Sequence, residues 1–333
     1  MNKPVRQPRR QLHGVILLDK PLGLSSNDAL QKVRRLMRAE KAGHTGTLDP
    51  LATGLLPLCF GAATKFSQVS LDADKRYTAT LKLGQTTSTG DAEGEILQTR
   101  PVTPDQVNAH RIADACRAFT GEIAQIPPMH SALKHQGRAL YEYAREGVEI
   151  ERAPRHVTIH AIDIVRWQDD LLELDVRCSK GTYIRTLAQD IGERLGCGAH
   201  LIGLRRTGSG GVTLQGAVTL EALQAMSEAE RDSHLQAADV LLNDWPDVLL
   251  TESEAARFLT GLRRRTHLPD APQVRVYGPL PGQDKTAGRV LLGSAHIKAG
   301  ELIPTRLLSP AEVQGLLMQT TDEAEQRQPD PVL

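Results

Sequence analysis

The chain has 333 residues, 40% of them hydrophobic, and a formal net charge of zero at pH 7. That length suggests two domains, and that composition is enough for a sizeable core. There is no apolar run near membrane-spanning length and no secretory signal, so a cytoplasmic protein with no membrane role is expected.

Residues 1–11 are basic and proline-containing and are expected to form a flexible arm. Val15 to Leu18 read as a short buried strand that ends in the turn Asp19-Lys20-Pro21-Leu22-Gly23. Ser25 or Ser26 then caps a helix with Leu30, Val33 and Met37 on one face. Lys32, Arg34, Arg35, Arg38 and Lys41 lie mainly on its other side. They form either a solvated face or a surface for a phosphate backbone, because the local field matters more to such a partner than the summed charge.

The stretch from Gly43 to Leu56 places one carboxylate, Asp49, between Leu48 and Pro50 among glycines and threonines. By itself it admits two readings. One is a tight turn that caps a helix. The other is a partly desolvated carboxylate held on a stiff loop for chemistry.

Tyr77, Ala79, Leu81 and Leu83 alternate with Thr78, Thr80 and Lys82, which predicts a half-buried strand. Thr103-Pro104-Asp105-Gln106 has the form of a capping box opening a helix. Ile126-Pro127-Pro128-Met129 is an extended loop, and Gly137 to Gly147 bracket a short helix. Leu172, Leu174, Val176 and Cys178 mark another strand, which turns at Lys180-Gly181-Thr182 into a helix stopped by Gly196. After Trp245-Pro246 a second capping box, Thr251 to Glu254, precedes short β-rich runs around Val274, Val290 and Leu302. These suggest a small barrel or sandwich, with Arg263-Arg264-Arg265 as a basic run. Residues 313–333, with Asp322, Glu323, Glu325 and Asp330, are expected to be a disordered acidic tail. Cys59, Cys116, Cys178 and Cys197 lie far apart among apolar or small neighbours and read as buried thiols. The histidines lack metal-ligand spacing, and Gly208, Gly210 and Gly211 lack the context of a nucleotide-binding fingerprint. No metal and no cofactor are expected.

The Gly43–Leu56 stretch resembles the catalytic motif of the TruB-type pseudouridine synthases. Gly14 to Ser26 looks like the family's first motif, Lys75-Arg76-Tyr77 like its second block, and Arg177 to Arg185 like its third. Leu250 to about Ser309 is similar to a PUA domain, a small RNA-binding barrel. The resemblance implies an α+β fold. A catalytic body on a mixed, mainly antiparallel sheet would span 12–246, and a PUA-like β-barrel 247–312. Ser25 stands where many relatives carry Thr, with no expected consequence, since both cap a helix.

The implied activity is cofactor-free isomerisation of the uridine at position 55 in the T arm of tRNA, by a protein expected to be a monomer. The resemblance makes Asp49 the catalytic carboxylate. Its role is left open between attack on C1′, attack on the base and deprotonation of C2′. Arg185 would hold that carboxylate through its planar fork, although such an arginine is also at home on an exposed helix face. Tyr77 would stack on the extruded uracil, with Tyr183 and Leu204 lining the same pocket. His44 would enter the RNA helix, and Lys20 and Lys180 would contact phosphates or support the loop. A non-catalytic RNA chaperone using the same surface is a competing reading. A nucleoside hydrolase is disfavoured, because it calls for paired carboxylates and the matched motif holds one.

Overall fold

The structure, a computed structural model, describes residues 8–279 and 289–326. Val15 to Leu18 are apolar and buried, so the first strand, β1 (Gly14–Lys20), lies inside a sheet with both faces covered. Ser25 caps α1 (Ser26–Leu36) by accepting a hydrogen bond from the Asp28 amide. The short β2 (Ala42–His44), the Asp49 loop and β3 (Ala52–Phe60) follow. A 3₁₀ turn over Gly61–Phe66 leads to α2 (Ser67–Asp72), β4 (Lys75–Leu83) and the hairpin of β5 (Gln85–Thr87) and β6 (Ile96–Thr99). Next come α3 (Ala109–Ala118), β7 (Gly121–Gln125), the two-residue strands β8 (Lys134–His135) and β9 (Arg138–Ala139), and α4 (Leu140–Arg145). The long hairpin of β10 (Arg155–Gln168) and β11 (Leu171–Cys178) precedes α5 (Ile184–Leu195), which ends at left-handed Gly196. β12 (Ala199–Ser209), β13 (Val212–Thr213), β14 (Val218–Thr219), α6 (Leu220–Ala225) and α7 (Glu228–Asp232) complete the body.

The body strands form one ten-stranded sheet in the order β14-β1-β3-β12-β4-β11-β10-β7, with β2 beside β3 and β13 beside β12. Pairing is antiparallel except at β1·β14 and β3·β12. One hydrophobic core lies between β4, β11, α3 and α5, and another between β1, β3, α1 and α6. Tyr77 and Leu204 pack against both, so they mark the seam between the two cores. Register across that seam puts Leu204 opposite Ala52 and Ala79, and Arg206 opposite Gly54 and Tyr77.

The C-terminal unit comprises β15 (Asp247–Leu249), α8 (Glu252–Leu259), β16 (Arg264–Arg265), β17 (Ala271–Gly278), β18 (Val290–Lys298) and β19 (Glu301–Leu307). Its strands form a five-stranded half-barrel in the order β15-β17-β18-β19-β16. The Thr251–Glu254 capping box is present. Ala62 and Phe66 of the 3₁₀ turn are buried in this unit's core, which joins it to the body through apolar packing.

Three local expectations are corrected. Thr103 to Gln106 make one hydrogen-bonded turn, and the helix starts later, at Ala109, capped by the Asn108 side chain. The Gln106 side chain accepts from the Thr103 hydroxyl, so the box closes on itself instead of opening a helix. The acidic tail is not disordered from residue 313, because α9 (Pro310–Gln326) continues the chain. Its Val313 is fully buried in the half-barrel core, and Leu316 and Leu317 pack against it. That apolar stripe needs a partner surface that composition does not reveal. Residues 327–333 lie outside the described residues. The arm is tied down at its end: Arg10 forks onto Asp232, at 3.0 Å through Nη1 and 2.5 Å through Nη2, and its amide donates to the Arg38 carbonyl. Residues 1–7 lie outside the described residues.

Candidate active site

The loop that carries Asp49 is held on both sides. The Ser26 hydroxyl accepts from the Leu48 amide (2.7 Å) and donates to the Leu48 carbonyl (3.1 Å). The Gly23 amide donates to the Pro50 carbonyl, and the Thr45 amide to the Pro57 carbonyl. Below the loop, three buried hydroxyls join in a row: Ser70 meets Thr45 at 2.9 Å and Ser209 at 3.1 Å. The aspartate therefore starts β3 from a rigid base.

Arg185 reaches the same point from the first turn of α5. It is 6% exposed, and its Nη2 lies 3.0 Å from Asp49 Oδ2. Its Nη1 lies 3.4 Å from Asp91 Oδ2 and donates to the Thr89 carbonyl, while Nη2 also donates to the His130 carbonyl at 2.6 Å. The guanidinium thus sits between two carboxylates in different settings. Asp91 is buried and further held by the Thr89 hydroxyl and the Glu93 amide. The Asp49 side chain is 42% exposed and remains reachable from outside. Burial pushes the Asp49 carboxyl above its ordinary value. Arg185 opposes that rise, Asp91 adds to it, and Lys20 opposes it. Glu93 is raised in the same way, first by burial and then by Asp91 and Asp49.

Of the residues singled out in the sequence, Asp49 and Arg185 are in direct contact. Tyr77 and Leu204 stand at the core seam beside them, and Leu204 lies in register with Ala52 at the start of β3. Burial raises the Tyr77 phenol, while its interaction with the Arg206 guanidinium works the other way. Tyr183 caps the start of α5, its amide donating to Gln125 Oε1, and burial also raises its phenol. Lys20 is fully buried, donates to the Pro21 and Leu24 carbonyls, and is pushed down by burial to about 8. His44 ends β2 opposite Leu58. Its Nδ1 is buried without a partner among the described residues, and burial and then Arg206 push its pKa down. Lys180 stands apart, 61% exposed and paired with Asp72 at 2.7 Å. Asp91, Glu93 and Arg206 were missed. The run Gly90-Asp91-Ala92-Glu93-Gly94, two carboxylates between glycines, was the available signal for the first two.

Residues 34–184 match the model described as TruB family pseudouridylate synthase (N terminal domain), and residues 185–244 that of the tRNA pseudouridylate synthase B C-terminal domain. A tRNA pseudouridine synthase B of Verminephrobacter eiseniae (strain EF01-2) is 57% identical over 316 residues, 94% of this chain and 93% of the relative. The chain belongs to the TruB family of pseudouridylate synthases. A second relative, tRNA pseudouridine synthase B of Cupriavidus metallidurans (strain ATCC 43123 / DSM 2839 / NBRC 102507 / CH34), is likewise 57% identical, covering 92% of this chain and 97% of its own. The TruB-family fold extends to a chain in the crystal structure of a Cbf5-Nop10-Gar1 complex. That chain is 24% identical with a TM-score of 0.67, over 90% of this chain and 87% of the other. As a TruB-family member the protein is an isomerase that makes pseudouridine from uridine. Among the described residues, no three His, Cys, Asp or Glu side chains group to hold a metal, and no helix is long and apolar enough to cross a membrane.

Proposed function

We propose that this isomerase acts on the uridine at position 55 in the T arm of tRNA, extruding the base and using the Asp49 carboxylate, without a cofactor. The observation that carries the reading is the 3.0 Å contact between Arg185, itself buried, and an Asp49 that stays open to solvent. The names of the similar proteins support tRNA as the substrate. In the reaction the N1–C1′ bond breaks, the uracil turns, and a C5–C1′ bond forms. The C5 hydrogen leaves as a proton, and N1 ends protonated, so the product is an isomer. Attack on C1′, attack on the base and removal of the C2′ proton each need an ionised oxygen close to the ribose. Arg185 favours that ionisation against burial.

In this reading residues 12–246 carry the chemistry and 247–312 grip the RNA, in a cytoplasmic monomer. Tyr77 stacks on the flipped uracil beside Tyr183 and Leu204, and Lys20 supports the loop from beneath. Tyr77→Phe should keep the stacking, worth about 1–3 kcal/mol, but slow the chemical step; equal single-turnover rates would confine Tyr77 to stacking. His44, at the end of β2, is assigned the ring that enters the RNA helix, where a flat polar side chain can stack and hydrogen-bond. His44→Ala should weaken tRNA binding more than it lowers the melting temperature, and the reverse result would make it a loop brace.

The basic run of the half-barrel is unevenly committed. Arg264 pairs with Glu254 at 2.6 Å and Arg263 approaches Glu301 at 3.7 Å, whereas Arg265 has no ion-pair partner among the described residues. Arg265→Ala should therefore weaken tRNA binding and reduce the slope of log affinity against log salt by roughly 1. An unchanged slope would remove Arg265 from the interface. Cutting the chain after Pro246 is a poorer test, since it would strip cover from Phe66 and Ala62.

The function itself is tested by incubating purified protein with unmodified tRNA, without additives, and mapping pseudouridine. Modification at position 55 supports the proposal. Modification confined to other positions, or none, overturns it.

A further inference from the structure

We propose that Arg206 is a positioning residue for the isomerisation: its buried guanidinium ties both ends of the Asp49 loop into one rigid unit, in cross-strand register with Tyr77. The inference rests on the roles of Asp49 and Tyr77 proposed above.

Arg206 is 1% exposed and among the largest fully buried side chains of the protein. Its Nε donates to the Leu55 carbonyl at 2.7 Å and its Nη2 to the Gly46 carbonyl at 3.2 Å. Gly46 and Leu55 flank Asp49 in the chain, so one side chain closes the loop across its base. The loop is folded tightly onto it. A Cβ on Gly46, whose φ is +86°, would stand 3.1 Å from Arg206 Nη1. A Cβ on Gly54, φ +94°, would stand 2.3 Å from the Arg206 carbonyl oxygen. At Gly54 the backbone oxygen leaves no room for a side chain, and at Gly46 the positive φ disfavours one and the guanidinium would have to give way.

On the other side stands Tyr77. Gly54, Arg206 and Tyr77 form one row across β3, β12 and β4, so the loop brace and the tyrosine share one stretch of sheet.

A brace alone does not call for a charge. Among the described residues no carboxylate oxygen lies within 4.0 Å of Arg206, in contrast to Arg185, which has two carboxylate partners. An unpaired buried cation is costly, and an apolar side chain of similar volume would avoid the cost. The charge acts on the groups around the loop. It disfavours the protonated forms of Lys20 and His44 and favours ionisation of Tyr77 against burial. Arg206 thus holds the backbone that carries Asp49 and supplies charge to Tyr77, Lys20 and His44.

The test compares Arg206→Lys and Arg206→Met with the parent enzyme for single-turnover pseudouridine formation, tRNA affinity and thermal unfolding. Arg206→Lys keeps the charge and loses the fork that spans two carbonyls. The expected result is a rate at least tenfold lower for Arg206→Lys and a hundredfold lower for Arg206→Met, with tRNA Kd within threefold of the parent. The Arg206→Lys loss should also shrink in a Tyr77→Phe background, because both changes disturb one unit. A folded Arg206→Lys enzyme with a rate within twofold of the parent overturns the proposal. So does a rate loss matched by an equal loss of affinity, or a full penalty in the Tyr77→Phe background. Should Arg206→Met fail to unfold cooperatively, Arg206→Lys decides alone; if it fails as well, the residue is structural and the proposal falls. Asp49→Asn run in parallel separates the cases: activity there would overturn the underlying site, whatever Arg206 does.

Discussion

Asp49→Asn is expected to lower the single-turnover rate by roughly 10²–10⁴-fold, the range for one positioned proton-transfer group, while tRNA affinity stays within a few-fold. The exchange is nearly isosteric, so the ties at Leu48, Pro50 and Thr45 persist, since none of them uses the Asp49 side chain. What disappears is the negative oxygen that faces Arg185 Nη2. The rate is read from tritium release by tRNA labelled at C5 of uridine, because the new C5–C1′ bond expels that hydrogen. A parallel fall in affinity would instead place Asp49 in RNA binding or folding, and a rate near the parent's would end the proposed mechanism. The same variant carries a pH signature in stability. Burial lifts the folded pKa of Asp49 above its ordinary 3.8. Its contribution to stability is therefore full below 3.8 and is lost as pH rises through the folded value. Asp49→Asn should gain on the parent in melting temperature between pH 3.5 and pH 7, and a constant difference across that range would contradict the desolvation argument.

Arg185→Gln is expected to cost about 10²-fold or more in rate, as the loss of a preorganised charged donor does, and to move the acid limb of the pH–rate profile upward. Arg185 is the larger of the two influences that hold the Asp49 carboxyl down. Without it, burial and Asp91 act with less opposition, Asp49 ionises at higher pH, and the loss at pH 6 exceeds that at pH 8. The variant should also be less stable, because Asp91 is 2% exposed and would lose its cation. Removing one member of a buried ion pair typically costs about 3–5 kcal/mol. The half-open Asp49 adds less, since water screens it. Arg185→Lys should fall between, keeping the charge and losing the fork that spans Asp49 and Asp91. If the acid limb stays where it is in Arg185→Gln, the group titrating there is not Asp49.

Local signals were legible where a segment's own chemistry decides its shape. β4 and β11 alternate with period two because each strand keeps one face in the core. Gly196 ends α5 in the left-handed conformation, and Thr251 with Glu254 closes a capping box on α8. The same logic failed at Thr103, where the Gln106 side chain bonds back to the Thr103 hydroxyl and the turn stops after one cycle. It failed again along α9, whose charged residues suggested disorder while Val313 sits in another element's core.

For the site, the chain alone singled out Asp49, Arg185, Tyr77, Tyr183 and Leu204, through local motifs and their resemblance to a family. It did not single out Asp91 or Arg206. Their importance comes from what lies across space: Asp91 meets Arg185 from the far end of a β-hairpin, and Arg206 is buried because β12 runs between β3 and β4. Backbone geometry, caps and side-chain period are short-range and are written residue by residue. Desolvation and charge pairing depend on which segments the fold brings together, and here they set buried Arg185 3.0 Å from an aspartate in a glycine-containing loop.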